Sequence, residues 1–577
     1  MNNETGIRFY HYRNFLKKYY FVQLKSVSLL FFLVAILLIL QLWTPQLLKD
    51  FIDSIKAMDD KSPLIKIGMI YVGASIGIQL ISIGSTFLGE KIGWSATNNL
   101  RRDLIKHCIS LDIEFHKQIK PGELVERIDG DTNQLANFFS QFIVSTVNNI
   151  LLIIGILIML FIEGWLIGSC LTIFVIISFF IISKIRNFAV PFWVKVREIR
   201  TEYFGKVTEF LEGIEALKAN RVTQYAIDKT NNVIKKWLPI RLKAQLASIT
   251  LWMSIVFIFA LGNAIALLVS TYLWSLDQIT IGTIYMIFFY TELLRQPIEQ
   301  IRLQIDNLQS ADASIKRINE LLNYSSSIKK EKGDISLNSP NKGIKFDGVY
   351  FKYNSKIKAN VLHDINFEVN TGETLAIIGD SGSGKTTITK LLFRFYDPLK
   401  GNIYLDGQNI RSLALSDLRK RIAWVSQDIE LLNTTVRNNI TLFNKGINDE
   451  EIIEIIKDLG MHSYLEALPN GLDTVVQENG KNLSVGETQF LTWCRAILKK
   501  ADIIILDEAS SKMDLITESV LMERLKKYLQ TKTVIIIAHR LQNIVNADHI
   551  ILLNRGKIEQ HLDKEIFIKN SEQNSLL

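Results

Sequence analysis

The stretch SLLFFLVAILLILQLW, residues 28–43, carries no charge along its whole length and opens a series of six apolar segments. They lie near 26–48, 64–89, 141–162, 165–183, 247–273 and 281–303. Each comes close to or exceeds the ~20 residues a helix needs to cross a bilayer. At about −0.3 to −0.6 kcal/mol per Leu, Ile, Phe or Val the first segment inserts readily, whereas one central Asp or Lys would cost ~3 kcal/mol. A cleaved signal peptide is a poor reading of it, because the run is too long, starts too late and lacks a small-residue cleavage site. Six membrane crossings are expected.

The loops orient them. Arg8, Arg13, Lys17, Lys18 and Lys25 precede the first span, while the connections EGW (163–165) and WSLDQIT (274–280) carry no Lys or Arg. The loop at 49–63 mixes Lys49, Lys56 and Lys61 with Asp50, Asp53, Asp59 and Asp60. The positive-inside rule then puts the N-terminus and the long basic connections in the cytoplasm, and an even number of spans puts the C-terminal half there too. The net charge of +8 is accordingly assigned to a membrane face rather than to nucleic acid, since Lys and Arg flank the apolar spans. Cys108, Cys170 and Cys494 are far apart and show neither metal spacing nor a disulfide framework.

Two connections, 91–140 and 184–246, are too long for ordinary loops and are expected to be helical, each reaching ~30 Å beyond the bilayer. The strongly polar residues singled out within the spans are Gln79, Asn148, Asn149, Asn263, Glu292 and Arg295. Glu292 and Arg295, three apart with Pro297 nearby, are expected to pair on one helix face; contact with a transported molecule is the alternative. The cluster YMIFFY (285–290) suits either an apolar cavity or lipid.

Beyond ADASIKRINELL the composition changes to Ser, Lys, Asn and Gly, which reads as a flexible linker over 323–343 between a membrane domain, 1–322, and a second domain, 344–577. A coil transmits little force, so mechanical coupling is expected through the long connections. In the second domain strand-like runs (IKFDGVYF, TLAIIG, RIAWVS, ADIIILDE, TVIIIAH) alternate with helical ones, which predicts an α/β fold with a largely parallel sheet.

Within it, GDSGSGKT (379–386) fits G-x-x-x-x-G-K-T after a strand and before a helix. Gly379, Gly382 and Gly384 let backbone N–H groups face anionic oxygens, around Asp380, Ser381 and Ser383. Lys385 reaches the β/γ-phosphates, the Thr386 hydroxyl can ligate Mg²⁺, and Thr387 follows in the first helical turn. Asp507 and Glu508, closing the run ADIIILDE, are placed to hold the Mg²⁺ shell and to polarise the attacking water. ATP and Mg²⁺ are thus the expected ligands.

Between these motifs stands NLSVGETQFLTWCRAIL, and here the chain resembles the ATP-binding-cassette exporters. LSVGE (Leu483, Ser484, Val485, Gly486, Glu487) is similar to their signature loop, which would meet ATP bound by the opposite chain. Gln427 in WVSQD resembles the glutamine joining metal site to transport domain, SKMD (Ser511 to Asp514) the D-loop, and His539 the switch histidine. Tyr353 stands where the family stacks an aromatic ring on adenine. The signature more often reads LSGGQ; here Val485 and Glu487 replace Gly and Gln, and the extra negative charge is expected to weaken contact with a polyphosphate.

The resemblance implies an all-α six-helix transmembrane domain followed by an α/β P-loop cassette, with 112–118 and 216–226 as coupling helices. It implies an ATP-hydrolysing half-transporter, acting with a second one as homo- or heterodimer in a bacterial plasma membrane. The expected substrate is an amphipathic drug, lipid or peptide. The alternatives are an ATP-gated regulatory membrane protein and the less active partner of a heterodimeric exporter. A membrane-tethered ATPase acting on nucleic acid is disfavoured by the six spans and long structured connections.

Overall fold

The computed structural model describes residues 16–57, 62–138, 140, 143–326, 328, 343–353, 360–427, 429–477, 480–507, 515–538 and 547–563. The chain divides into two compact units, one of Met1–Ser110 with Ile119–Tyr324, the other of Leu111–Gln118 with Ser325–Leu577.

The first unit is helical. Its long helices are α1 (Leu24–Ala57), α2 (Ser62–Ser110), α3 (Ile143–Glu163), α4 (Trp165–Glu212) and α5 (Thr223–Ser275), joined in the same unit by α6 (Ile281–Leu293) and α7 (Arg295–Leu322). Helices α1 to α5 are long and apolar enough to cross a membrane. With 49, 48 and 53 residues, α2, α4 and α5 extend to roughly 70–80 Å at 1.5 Å per residue, well past a ~30 Å hydrocarbon core. The long connections are therefore largely continuations of the spans. Apolar side chains such as Phe32, Phe87, Phe180 and Leu268 stay exposed on the outer faces, the pattern of helices whose solvent is lipid.

The sixth segment is built from α6 and α7, which meet at Leu294. This residue keeps helical dihedrals (φ −68°, ψ −22°), and the Leu294 N–H to Tyr290 and Ile298 N–H to Leu294 hydrogen bonds, at 3.1 and 3.3 Å, carry the helix across the junction. Pro297 has no N–H to offer the carbonyl one turn earlier, which frees the backbone there. Glu292 and Arg295 stand on either side of this junction and do not pair. Instead the Asn263 side-chain amide, on α5, donates to the Glu292 carboxylate.

Opposite ends of the helices are tied differently. At one end Lys49 on α1 pairs with Glu163 at 2.8 Å, and the Asp53 carboxylate accepts from the Gly282 N–H at 2.9 Å and the Thr280 hydroxyl at 2.6 Å. The end of α1, the α3–α4 turn and the start of α6 are thereby gathered, as helices of alternating direction require. Elsewhere in the unit buried Asp131 accepts from the Ser314 hydroxyl and the Arg317 guanidinium, both at 2.9 Å, joining 126–137 to α7.

The second unit is α/β. Strands are β1 (Ile344–Phe351), β2 (Leu362–Val369), β3 (Thr374–Ile378), β4 (Lys400–Leu405), β5 (Gln408–Asn409), β6 (Ile422–Val425), β7 (Ile503–Asp507), β8 (Thr533–Ile537), β9 (His549–Asn554) and β10 (Lys557–Asp563). A six-stranded sheet runs β10-β9-β3-β8-β7-β6, parallel from β9 to β6 with β10 antiparallel at its edge. Every residue of β7 and β8 is buried, as expected of strands covered on both faces. A separate antiparallel sheet, β2-β1-β4-β5, carries alternating burial and stacks Phe346 on Phe367 at 4.5 Å. Helix α8 (Lys385–Leu392) leaves the carboxyl end of β3, and helix α9 (Val485–Leu498) leads into β7.

Candidate functional site

The loop from β3 to α8 lies at the carboxyl ends of the parallel strands, with β8 standing between β3 and β7. Gly379 has φ +147°, and a Cβ there would sit 2.0 Å from the Leu553 carbonyl oxygen. Gly384, at φ +109°, caps α8, and its Cβ would lie 2.7 Å from a Leu362 methyl. The chain can turn this tightly only because both positions lack a side chain. Lys385 is buried, and its ammonium donates to the carbonyls of Gly379 at 2.7 Å and Asp380 at 2.9 Å, so it lies across the loop. The Ser383 hydroxyl is buried without a hydrogen-bond partner among the described residues. A helix N-terminus, a glycine-permitted curve, an ammonium and an orphaned hydroxyl together fit an anionic oxygen cluster.

Thr386, Gln427 and Asp507 line one cavity of about 500 Å³. Asp507 is 1% exposed at the end of β7. A hydroxyl, an amide and a carboxylate are the hard oxygen donors that Mg²⁺ accepts alongside phosphate oxygens and water.

Tyr353 follows β1. Its hydroxyl lies 2.9 Å from Thr387 Oγ1, so the ring is fixed to the first turn of α8. The ring meets Phe351 at 5.0 Å and Tyr396 at 5.1 Å, edge to face in both cases. Burial pushes the phenol pKa of Tyr353 and of Tyr396 upward, so both stay neutral. The Lys117 ammonium stands 4.9 Å from the Tyr353 centroid and 5.5 Å from that of Tyr396. Lys117 and Ile113 also line the cavity of Thr386, Gln427 and Asp507. The expected coupling segment near 112–118 thus folds as part of the second unit, with Phe115 buried and the Asp112 carboxylate capping the Phe115 N–H at 3.1 Å. The segment near 216–226 belongs to the first unit, and its helix Ile214–Ala219 buries no residue.

At the signature stretch Ser484 is the N-cap of α9. Its hydroxyl accepts from the Glu487 N–H at 3.2 Å, while the Glu487 carboxylate accepts from the Ser484 N–H at 2.6 Å. This reciprocal box gives Glu487 a structural task that the reading of it as an added charge overlooked. S-x-x-E before an apolar run was the signal that could have shown it. Val485 is exposed, and a Cβ on Gly486 would meet nothing within 4 Å, so this end of α9 is open. Further along α9, Arg495 donates to the Glu430 carbonyl at 3.1 Å and to Asn439 Oδ1 at 2.9 Å, linking the signature helix to the segment after Gln427. Sequence reasoning also passed over Lys117, Tyr396 and Arg495, whose places beside these residues only the tertiary fold decides. Glu508, Ser511, Asp514 and His539 lie outside the described residues.

Residues 27–298 match the family model for the ABC transporter transmembrane region, and residues 362–511 the model for the ABC transporter. An ATP-dependent lipid A-core flippase from Wigglesworthia glossinidia brevipalpis is 32% identical over 527 residues, covering 91% of this chain and 89% of that protein. An uncharacterised ABC transporter ATP-binding protein from Bacillus subtilis (strain 168) is 30% identical over 492 residues, covering 83% and 79%. The solved structure of a bacterial Atm1-family ABC exporter with ATP bound superposes with a TM-score of 0.81 at 23% identity, over 95% of this chain and 96% of that one.

Proposed function

The chain belongs to the ABC transporter family, as a fused half-transporter of the exporter type, and from that premise we propose how its residues divide the work. It is a multi-pass membrane protein that hydrolyses ATP to drive export. In the proposed division the loop Gly379–Thr387 holds the triphosphate, with Lys385 leaving the loop carbonyls for the β/γ-phosphates. Tyr353 supplies the adenine platform. Thr386, Gln427 and Asp507 would hold a magnesium ion, whose charge offsets that developing on the phosphates. Glu508 orients the attacking water and His539 the γ-phosphate, with Ser511 and Asp514 in the adjoining loop.

Two chains act together. The exposed end of α9, at Ser484, Val485 and Gly486, is an open helix N-terminus, and in the proposal it closes on ATP held by the other chain. The segments 112–118 and 216–226 carry cassette closure to the helices, and the transported molecule is amphipathic. N- and C-termini are cytoplasmic in this scheme. The observation that carries the reading is the meeting of Lys117, Thr386, Gln427 and Asp507 on one cavity, because it puts the segment that follows α2 in sequence beside the expected hydrolytic site.

The test is ATPase activity and ATP-dependent flux of the purified protein in vesicles. Glu508→Gln is expected to lower both by at least ~10²-fold while ATP still binds. Unchanged hydrolysis in that variant overturns the assignment of Glu508. Hydrolysis without flux of any amphiphile would favour the gating alternative.

A further inference from the structure

The helical unit contains a second cavity, of about 390 Å³, whose lining differs in kind from the apolar shell around it. It is bounded by α1, α2, α3 and the α6–α7 junction, and most of its lining side chains carry an amide, a hydroxyl or a carboxylate. Gln296, Gln300 and Gln304, four residues apart on α7, present one face of that helix to the cavity. Asn148 and Asn149, two of the polar residues singled out in the spans, lie on α3 across the cavity.

Three features fix the sign of the site. Glu90 on α2 is the one ionisable side chain among the lining residues. Its carboxylate accepts from the Ser140 hydroxyl at 3.1 Å and has no cationic partner among the described residues. The side-chain carbonyl oxygens of Gln41 and Asn148 are buried with no donor among those residues. A buried acceptor without a donor costs ~1–3 kcal/mol, and the half-buried Glu90 carboxylate, at the end of the second span, adds a negative charge with no cation beside it among the described residues. An anionic or acceptor-only group entering the cavity would add to each of these penalties. A group bearing both positive charge and N–H donors removes all of them. The apolar parts of the wall, Val34, Leu37, Leu152 and Leu293, suit a few methylenes attached to such a head.

We propose that this cavity binds the head group of an amphipathic cation with N–H donors, such as a primary ammonium, with Glu90 as its counter-charge and the carbonyls of Gln41 and Asn148 as acceptors. The proposal rests on the export reading above and names the substrate class that reading leaves open.

The test uses the purified full-length transporter in phosphatidylcholine vesicles, a neutral surface that does not itself concentrate cations. Four fluorescent probes share a dansyl-labelled twelve-carbon chain and end in a primary ammonium, a trimethylammonium, a hydroxyl or a carboxylate. Binding is read by fluorescence and movement by ATP-dependent flux. The ammonium probe is expected to bind roughly 10- to 100-fold more tightly than the hydroxyl probe, which is the range of a charged hydrogen bond. The trimethylammonium, charged but without donors, falls between them, and the carboxylate binds least. Glu90→Gln is expected to bring the ammonium and hydroxyl probes within about twofold of each other, through loss of the counter-charge. Asn148→Ala, which keeps the carboxylate, is expected to reduce the ammonium advantage by a smaller factor and serves if the first variant does not fold. Equal affinities for all heads, a carboxylate probe that binds as well as the ammonium, no binding of the ammonium, or an advantage untouched by both substitutions would each overturn the proposal. Failure of the export reading looks different: the ammonium preference persists in binding, yet ATP moves none of the four probes.

Discussion

Lys117 offers the sharpest test of how the 111–118 segment is fastened beside the nucleotide site. Its ammonium is 4.9 Å and 5.5 Å from the centroids of Tyr353 and Tyr396, while the Lys117 side chain itself is exposed. A cation–π contact at an exposed site is worth ~0.5–1 kcal/mol, so two rings hold the segment by about 1–2 kcal/mol. Lys117→Met keeps most of the apolar stem and removes the charge. At 1.4 kcal/mol per factor of ten, local opening of the segment should become about 5- to 30-fold more frequent. Amide hydrogen exchange of the peptide covering 111–118, in nucleotide-free protein, reads that opening directly. Tyr396→Leu should produce part of the same loss, and the double variant should lose less than the sum, because both substitutions remove one interaction. Lys117→Arg should restore protection. Exchange at the original rate in Lys117→Met would refute the claim that this ammonium fastens the segment, and would leave packing of Ile113 and Phe115 as its anchor.

Other consequences can be tested on the same protein. Gly379→Ala puts a Cβ 2.0 Å from the Leu553 carbonyl oxygen and should abolish ATP binding measured with a fluorescent analogue; Gly382→Ala, whose Cβ meets nothing within 4 Å, should cost only the ~1–2 kcal/mol of its left-handed backbone. Glu487→Gln preserves the capping box and should leave stability within ~0.5 kcal/mol, whereas Glu487→Ala should lose about 1 kcal/mol in denaturant unfolding of the cassette. If both variants unfold alike, the box contributes nothing. Hydrogen bonds from the Asn370 side chain and backbone, with His549 nearby, hold the Glu373 carboxyl below its usual range. The stability from this lowered pKa is present above the ordinary glutamate pKa and is lost as pH falls through the lowered folded value. Glu373→Gln should therefore flatten the acid limb of the cassette's stability profile, and an unaltered limb would count against it.

Much of this molecule is written locally. A bilayer accepts only long apolar runs with their backbone bonds satisfied internally, so the spans and the helical continuation of the long connections follow from hydropathy and loop length. The phosphate loop is equally local, because its glycines, Lys385 and Thr386 act within one strand-turn-helix unit. The antiparallel sheet β2-β1-β4-β5 was not legible: its strands pair residues as far apart as Ile344 and Leu405, and nothing in either run names the other. The hydrogen bond from Asn263 to Glu292, in place of the expected Glu292–Arg295 pair, was not legible either, since it depends on where α5 lies beside α6. Residues with one chemical partner in sequence found another in space.

The sequence by itself determined what kind of machine this is, because membrane insertion and phosphate binding are set by composition and spacing over fewer than about thirty residues. Only the tertiary structure decided that Lys117 stands over Tyr353 and that Glu90, Gln41 and Asn148 border one polar cavity. Those are convergences of distant segments. Their energies arise from distance and desolvation, quantities that exist only once the chain has packed.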